Sequence, residues 1–201
     1  MPTLPKTEPI NPAYPVEFAV GQIYAQHRNM ARVYKRLEAH ALDVAKAQCP
    51  ADAALIAAIL RYIDIFSYRF HHPVEDTYLL SAMRESGADD GVIDAAMRSH
   101  IDGANKIAAL RNEFDVSCRG EEDIGPPFMS ALHEYISFEL RHIDFEENVV
   151  LPCAVDALPA EDWRAIAEAF GSYEDPLFGA HPEPELAPLY HLLSASAASL
   201  H

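Results

Sequence analysis

Apolar residues that recur at alternating intervals of three and four positions are the feature that most constrains this chain. They occur in four long segments, roughly 17–48, 51–86, 90–117 and 126–157, which proline and glycine residues separate. Intervals of three and four place side chains on one face of an α-helix, and no stretch shows the sustained alternation of a β-strand. The pattern therefore predicts an all-α fold, an up-down-up-down four-helix bundle with short connections.

The stripes that must face inward also carry polar residues. Each stripe contains one histidine: His27, His71, His100 and His142. Two of these are followed four positions later by a glutamate, Glu75 and Glu146. Residues four apart lie about 5–6 Å from each other on one helix face, so both members of a pair can point at one place.

Burying these carboxylates and imidazoles without partners would be costly. A divalent or trivalent cation between the helices removes that cost, because it takes the lone pairs. We therefore predict a metal site with these six residues as ligands. Four imidazoles and two carboxylates are too many for one tetrahedral zinc site. They suit two ions, with the glutamates chelating or bridging, and they favour iron over manganese or zinc.

Other polar residues lie close to the predicted ligands. His72 and Asp76 are each one position, about 100° of helix rotation, from the pair on the second segment. We expect them to orient an imidazole from outside the ligand set, or to be exposed. Glu139 lies one turn before His142 and is expected either as an extra ligand or as a hydrogen-bond acceptor.

Pro73 lies between the two predicted ligands of the second segment. A proline inside a helix removes one hydrogen bond and clashes with the preceding turn. The apolar stripe nevertheless keeps its register from Leu60 to Tyr78. We therefore predict a kink or bulge in one continuous helix, and two separate helices with Pro73 in the first turn of the second are the alternative.

Charge and cysteine content restrict the partners and the compartment. The chain has 31 acidic and 15 basic residues and a formal net charge of −16, which repels nucleic acids and anionic lipids. No window approaches the ~18 uncharged apolar residues of a membrane helix. The start lacks a secretory signal pattern. Three separated cysteines without a CxxC pair fit a reducing compartment, and we expect a cytoplasmic protein without nucleic-acid or membrane partners.

The two ends of the chain differ in composition from the predicted bundle, which occupies residues 17–158. Prolines recur through residues 1–16 and predict an extended arm. Residues 159–201 predict a short fifth helix over Glu161–Phe170, which carries the only tryptophan, followed by an irregular, proline-rich tail. Leu177, Phe178 and Tyr190 are expected to pack this tail onto the bundle or onto a partner.

The combined pattern resembles the hemerythrin-like proteins with the HHE cation-binding domain. The resemblance covers roughly residues 20–157 and consists of His27, then HHPVED from His71, then His100, then HIDFEE from His142 followed by NVVLP. It implies a left-handed four-helix bundle that holds a non-haem di-iron centre through the six residues named above.

The chain departs from the oxygen-carrying members of that family at two places. Those members have a second histidine one turn after the third-helix histidine, where this chain has Ala104. They also end with H-x-x-x-x-D, whereas this chain has Glu146 four positions and Glu147 five positions after His142. These departures argue against reversible oxygen carriage. They make the chain more similar to bacterial relatives linked to nitric oxide, oxidative stress, iron-centre repair or sensing.

The sequence thus predicts a protein with two iron ions, whose open positions bind a small diatomic ligand, O2 or NO, or a peroxide. Tyr34, Tyr78 or Tyr135 would line the pocket. A metal-dependent sensor or interaction module is one alternative, an iron-centre repair protein is another, and a purely structural bundle is the last. Enzymatic turnover is left open. The unsaturated metal site would allow it, but no nucleophile elbow, phosphate loop or dinucleotide motif supports it. The oligomeric state is also left open, with a homodimer among the options.

Overall fold

Six helices make up almost all of the computed structural model, which describes residues 14–46, 52–119 and 125–198. No strand occurs among those residues. The helices are α1 (Pro15–Ala45), α2 (53–85), α3 (Asp90–Arg119), α4 (126–157), α5 (Ala160–Gly171) and α6 (184–198, beginning with the 3₁₀ turn Pro184–Leu186). The predicted all-α bundle is confirmed, with α1 to α4 in the four predicted segments.

Local capping explains where α2 begins and ends. The Asp52 side chain accepts a hydrogen bond from the backbone N–H of Leu55 at 2.9 Å, which satisfies one of the free donors of the first turn. At the other end Gly87 has a positive φ of 79°. The N–H of Ala88 then bonds back to the carbonyl of Met83 at 3.0 Å. This arrangement ends the helix sharply, and a short turn leads into α3.

Two of the bundle helices contain π-helical segments. α2 is π-helical over Ile63–His71 and Glu75–Leu80, and α4 is π-helical over Glu146–Val150. Between the first two, His72–Val74 is α-helical, so the helix continues through Pro73. The predicted bulge in a continuous helix is therefore confirmed, and the two-helix alternative is excluded. A π-helical turn joins residues five apart, which accommodates a proline that lacks an N–H.

The π-helical segments change which residues face the core. The three-and-four spacing places Tyr78 and Val149 on the inward stripes of their helices, but they are 44% and 39% exposed. Their neighbours Leu79 and Val150 are buried instead, at 1% exposure each. A π-helical turn holds more residues than an α-helical turn, so the buried stripe moves on by one position.

The stripe of α3 also differs from the prediction. The three-and-four spacing places Met97 and Ala104 on the stripe of His100, but both are exposed, and the buried positions around His100 are Ala96 and Gly103. Both Gly103 and Ala104 fit a spacing of three or four, and both are too small for hydrophobicity to distinguish them. The sequence therefore could not fix the register at this point.

The buried apolar side chains form two clusters with a polar layer between them. On α1 the cluster near the helix start includes Ile23 and the other begins with Met30, so His27 lies at the boundary. On the other three bundle helices, too, the predicted ligands lie where one cluster gives way to the other. The bundle thus encloses its polar residues between two blocks from which water is excluded.

The C-terminal region packs on the bundle, and its end is more regular than predicted. Trp163 of α5 is fully buried, as are Leu177, Leu186 and Leu189, whereas Tyr190 is exposed. Among the described residues of the tail, 172–183 are irregular, whereas the sequence analysis did not predict the helix Ala187–Ala198 that follows. Prolines are tolerated in the first turn of a helix, where no hydrogen bond is lost.

At the other end of the chain, α1 begins at Pro15, two residues before the predicted boundary, and residues 1–13 of the predicted arm lie outside the described residues. Within residues 14–46, 52–119 and 125–198, no helix has the length and apolar content needed to cross a membrane.

Candidate metal centre

The structure brings all six predicted ligands together in the polar layer. They come from all four bundle helices, and none is more than 6% exposed: His27, His71, Glu75, His100, His142 and Glu146. Their ligand atoms divide into two neighbouring groups, and within each group the atoms lie within 4.8 Å of one another. The arrangement therefore offers two places for a cation.

The first group combines α1, α2 and α4. It consists of His27, His71, Glu75 and Glu146. The Nε2 atoms of His27 and His71 lie 3.1 Å apart. Glu75 Oε1 is 3.4 Å from Nε2 of His71, and Glu146 Oε2 is 3.3 Å from Nε2 of His27. Two imidazole nitrogens and two carboxylate oxygens thus face one point.

The second group combines α2, α3 and α4. It consists of His72, His100 and His142. The ring of His72 stacks on that of His100 with centroids 4.4 Å apart, and His142 lies edge-on to His100 at 4.9 Å. His72 was expected to act from outside the ligand set or to be exposed. Instead it is buried and offers a third imidazole on this side.

Both glutamates reach both groups. The second oxygen of Glu75 lies 3.4 Å from Nε2 of His100. The second oxygen of Glu146 lies 3.1 Å from Nε2 of both His100 and His142. Each carboxylate therefore turns one oxygen to the first group and the other oxygen to the second, which is the arrangement of a bridging ligand.

The outer nitrogen of each of the four predicted histidines has a hydrogen-bond acceptor. His27 Nδ1 donates to Glu147 Oε1 at 3.1 Å. His71 Nδ1 donates to Gln26 Oε1 at 2.8 Å, and His100 Nδ1 donates to Asp76 Oδ1 at 2.8 Å. Nδ1 of His142 donates to Ser99 Oγ at 2.8 Å, whose own hydroxyl donates to the Ala96 carbonyl. Each Nδ1 therefore carries a proton, so in the neutral imidazole the inward Nε2 presents a lone pair.

The histidines of the polar layer differ in the direction in which their pKa values are shifted. Burial and the charge of His27 hold the pKa of His71 well below its usual range, and burial with the charges of His100 and His142 does the same for His72. Burial lowers the pKa of His142 to about 4. Burial opposes charge on His27 as well, but Glu146 and Glu147 raise its pKa to about 9. Neutral imidazoles are the form that binds metals.

His100 and the two glutamates shift one another's pKa values. Burial opposes charge on His100, but Asp76, Glu146 and Glu75 raise its pKa to about 12. Burial and the neighbouring Glu146 raise the pKa of Glu75, while His142, His100 and His27 hold the pKa of Glu146 well below its usual range against the effect of burial. In the absence of metal, protons on His27 and His100 therefore offset the carboxylate charge.

Several inward-facing atoms are left without a hydrogen bond, and they test whether the residues fit a metal. Glu75 Oε2, Glu146 Oε2 and His142 Nε2 are buried and unbonded. Such atoms are rare in native proteins because an unsatisfied buried polar group is destabilising. All three belong to the predicted ligand set and face the two groups. A cation would take their lone pairs, so the donor set fits a metal.

A family model for the hemerythrin HHE cation-binding domain matches residues 19–154. The chain belongs to this hemerythrin family. The match spans the four bundle helices and all six predicted ligands, whereas α5 and α6 lie outside it. Searches of curated proteins and of solved structures gave no significant match to the chain.

Membership of the hemerythrin family indicates metal-cation binding as the function of the domain. The predicted resemblance is thus confirmed. Ligation by each of the six residues stays a prediction that their positions support.

His72 is the residue of this hemerythrin centre that the sequence argument left out. A rotation of about 100° per residue would turn it away from the centre. In the structure both histidines are buried, at the junction between the π-helical segment that ends at His71 and the α-helical segment that begins at His72. The pair of adjacent histidines before a mid-helix proline was the available signal. Glu139 was expected either as an extra ligand or as a hydrogen-bond acceptor. It belongs to neither group, and it accepts hydrogen bonds from Tyr68 and Tyr34.

Proposed function

We propose that this hemerythrin-family protein holds a non-haem di-iron centre that binds or responds to O2, NO or a peroxide in the cytoplasm. The observation that supports two ions rather than one is the position of Glu75 and Glu146, whose oxygens each face a different group of histidines. Mixed imidazole and carboxylate donors support iron, with manganese or zinc as the alternatives.

The donor count supports an open site. The first group offers two imidazoles and two carboxylate oxygens, and an octahedral ion accepts six donors. A small ligand can therefore bind without displacing a protein side chain. When bound, the iron would supply one-electron chemistry and an open position for such a ligand. The chain holds its donors in place through Gln26, Asp76, Ser99 and Glu147, and the two apolar clusters flank them along the bundle.

The absence of a histidine at position 104 is consistent with this proposal. Ala104 is exposed and lines a surface cavity instead of facing the centre. His72 offers the third imidazole of its group from α2 instead. The ligand geometry therefore differs from that of the oxygen carriers, and a reactive or sensing role is favoured over reversible oxygen transport.

Metal analysis of the full chain, purified without a histidine tag and loaded with ferrous iron under anaerobic conditions, tests the proposal. We expect two irons per chain and a change in visible absorption on exposure to O2, peroxide or NO. His142→Ala should lower the iron content, whereas His133→Ala, an exposed position on the same helix, should not. One iron or none per chain, or an iron-loaded protein that is spectrally silent with all three ligands, would refute the proposal.

A further inference from the structure

A second polar cluster lies next to the metal centre, around Glu139. This carboxylate is 1% exposed and lies on α4, one turn before His142. Its Oε1 accepts a hydrogen bond from the Tyr68 hydroxyl at 2.8 Å, and its Oε2 accepts one from the Tyr34 hydroxyl at 3.3 Å. Tyr135 packs edge-on against Tyr34 with ring centroids 5.8 Å apart. The hydrogen-bond partners of Glu139 are thus phenols and not cations.

A buried carboxylate with two neutral donors is a poor contributor to stability. Phenol hydrogen bonds offset only part of the cost of removing a charge from water. Burial raises the pKa of Glu139 to about 7, against the lowering effect of the Tyr68 and Tyr34 hydroxyl groups. The charges of Glu146 and His100 also act on it, with opposite signs. A proton on this buried carboxylate would therefore relieve the cost of its burial between two phenols.

Tyr68 connects Glu139 to solvent. It is half-buried, and it lines a surface cavity of about 410 Å³ together with Asp64, Arg111 and Asp115. Its ring also lies edge-on to His72 at 5.0 Å, so one face of this tyrosine contacts the metal layer. A phenol can accept a proton on one side and donate one on the other. Tyr68 therefore provides a path for protons between the cavity and the buried carboxylate.

Tyr34 continues the hydrogen-bond chain inward. Its hydroxyl lies 3.2 Å from Ser67 Oγ, which is fully buried and one turn before His71 on α2. The Ser67 hydroxyl in turn donates to Met30 Sδ at 3.1 Å. Tyr68, Glu139, Tyr34 and Ser67 thus form a continuous series of hydrogen-bonding groups whose inner end lies one helical turn from His71.

Gly103 supplies the space for this series. It lies one turn after His100 on α3 and is buried. A Cβ at this position would come within 2.7 Å of Glu139 Oε1 and 2.8 Å of the Tyr68 hydroxyl oxygen. Any larger residue would separate the two hydrogen-bonded groups. The glycine therefore keeps the carboxylate and the phenol in contact.

We propose that Glu139 is the proton-exchange site of the metal centre, with Tyr68 as its connection to solvent. The inference rests on the proposed iron centre. When an external one-electron reductant delivers one electron to the iron centre, the Glu139 carboxylate takes up one proton from solvent through Tyr68 and becomes a carboxylic acid. When an external one-electron oxidant removes that electron, Glu139 returns the proton by the same route. Because Glu139 holds a single proton, it compensates the charge of one of the two electrons that two irons can accept.

The test is made on the iron-loaded full chain. Two quantities are measured: its reduction potential as a function of pH, and the infrared difference spectrum of the reduced minus the oxidised protein. The wild type should show a potential that falls with rising pH and a carboxylic acid band that shifts in D2O. Both should be absent in Glu139→Gln. Tyr68→Phe should keep the band but slow proton uptake after rapid reduction by about tenfold or more.

Tyr62 and Asp175 provide matched controls, because the buried Tyr62 hydroxyl donates to Asp175 Oδ2 at 3.2 Å outside this series. Tyr62→Phe and Asp175→Asn should leave the potential, its pH dependence and the infrared band unchanged. A Glu139→Gln protein that keeps the wild-type pH dependence and band would overturn the inference while leaving the iron centre intact. A wild type without redox-active iron would instead refute the proposed function, and the inference with it. If Glu139→Gln does not fold, the Tyr68→Phe rate decides.

Discussion

Gln26 joins a predicted iron ligand to the part of the chain that lies outside the hemerythrin domain. Its side-chain nitrogen donates to the carbonyl of Phe170 in α5 at 3.3 Å. This bond fixes the orientation of the amide, so that its oxygen faces His71 and accepts the Nδ1 proton at 2.8 Å. His71 is thereby held with the lone pair of Nε2 towards the first group of donors. We predict that Gln26→Leu weakens metal binding at this group.

The size of the effect follows from the contacts that are lost. Leucine is similar in volume but leaves the buried Nδ1–H of His71 without an acceptor, at a cost of about 1–3 kcal/mol to the free energy of unfolding. The imidazole also loses its fixed orientation. Removal of such an orienting partner typically lowers metal affinity by about 10–100-fold, which is about 1.4–2.7 kcal/mol. The affinity of the ion near His100 and His142 should change less.

Competition with a chelator measures the affinities, and denaturant unfolding of the metal-free protein measures the stability. Asn29→Leu is the matched control, since Asn29 also links α1 to the C-terminal region, by a 3.0 Å hydrogen bond to Asp175. It should cost stability without changing the affinity. Gln26→Glu should retain the acceptor for His71 and hence most of the metal affinity. Its free energy of unfolding should fall, because a carboxylate cannot donate a hydrogen bond to the Phe170 carbonyl. Wild-type affinity for both ions in Gln26→Leu would refute the reasoning.

Three further predictions follow from the same layer. His72→Ala should lower the affinity for one of two ions about tenfold or more, and calorimetric titration showing two unchanged affinities would contradict it. Gly103→Ala should cost about 0.5–2 kcal/mol in chemical unfolding, because the loss of the Tyr68–Glu139 hydrogen bond outweighs the gain in helix propensity; Gly21→Ala, where nothing lies within 4 Å, should gain stability. The pKa of Glu139 in the fold, about 7, lies above the 4.5 of an unperturbed glutamate. Its contribution to stability is therefore complete below 4.5 and is lost as pH rises through 7, by up to about 3 kcal/mol. Glu139→Gln does not titrate, so its stability relative to wild type should rise between these pH values, and a constant difference in unfolding free energy would contradict the prediction.

The intervals of three and four were sufficient to predict the helices and the convergence of six side chains. A histidine on each inward stripe has little meaning alone, but four helices of one bundle share one interior. Positions such as His27 and His142 could therefore be placed together without coordinates. The polar residues of the stripes at these points indicated a cation, because burying several carboxylates and imidazoles without partners would be costly.

The finer features depended on backbone geometry that the residue types do not encode locally. Tyr78 was expected near the centre, but the π-helical turns of α2 turn it to solvent, and Tyr68 contacts the layer instead. The general preference of a histidine outside the ligand stripes places His40 at the surface, yet it is buried and accepts a hydrogen bond from the Asp52 N–H at 3.0 Å. Both errors came from applying a uniform helix rotation or a general preference to a single position. Tertiary packing decided each of them.

The distribution of the π-helical segments relates this backbone geometry to function. One ends at His71, the next begins at Glu75, and the third begins at Glu146. All three lie on α2 and α4, the two helices that contribute a histidine and a glutamate four positions later. α1 and α3 contribute one predicted ligand each and are α-helical throughout. A helix with a single ligand needs only the correct rotation about its axis, which packing can set. A helix with two ligands must direct both to the same pair of ions, and a local change in rotation per residue adjusts one relative to the other. The π-helical geometry, which is less stable than the α-helical one, is therefore found where two side chains of one helix have to reach the same pair of ions.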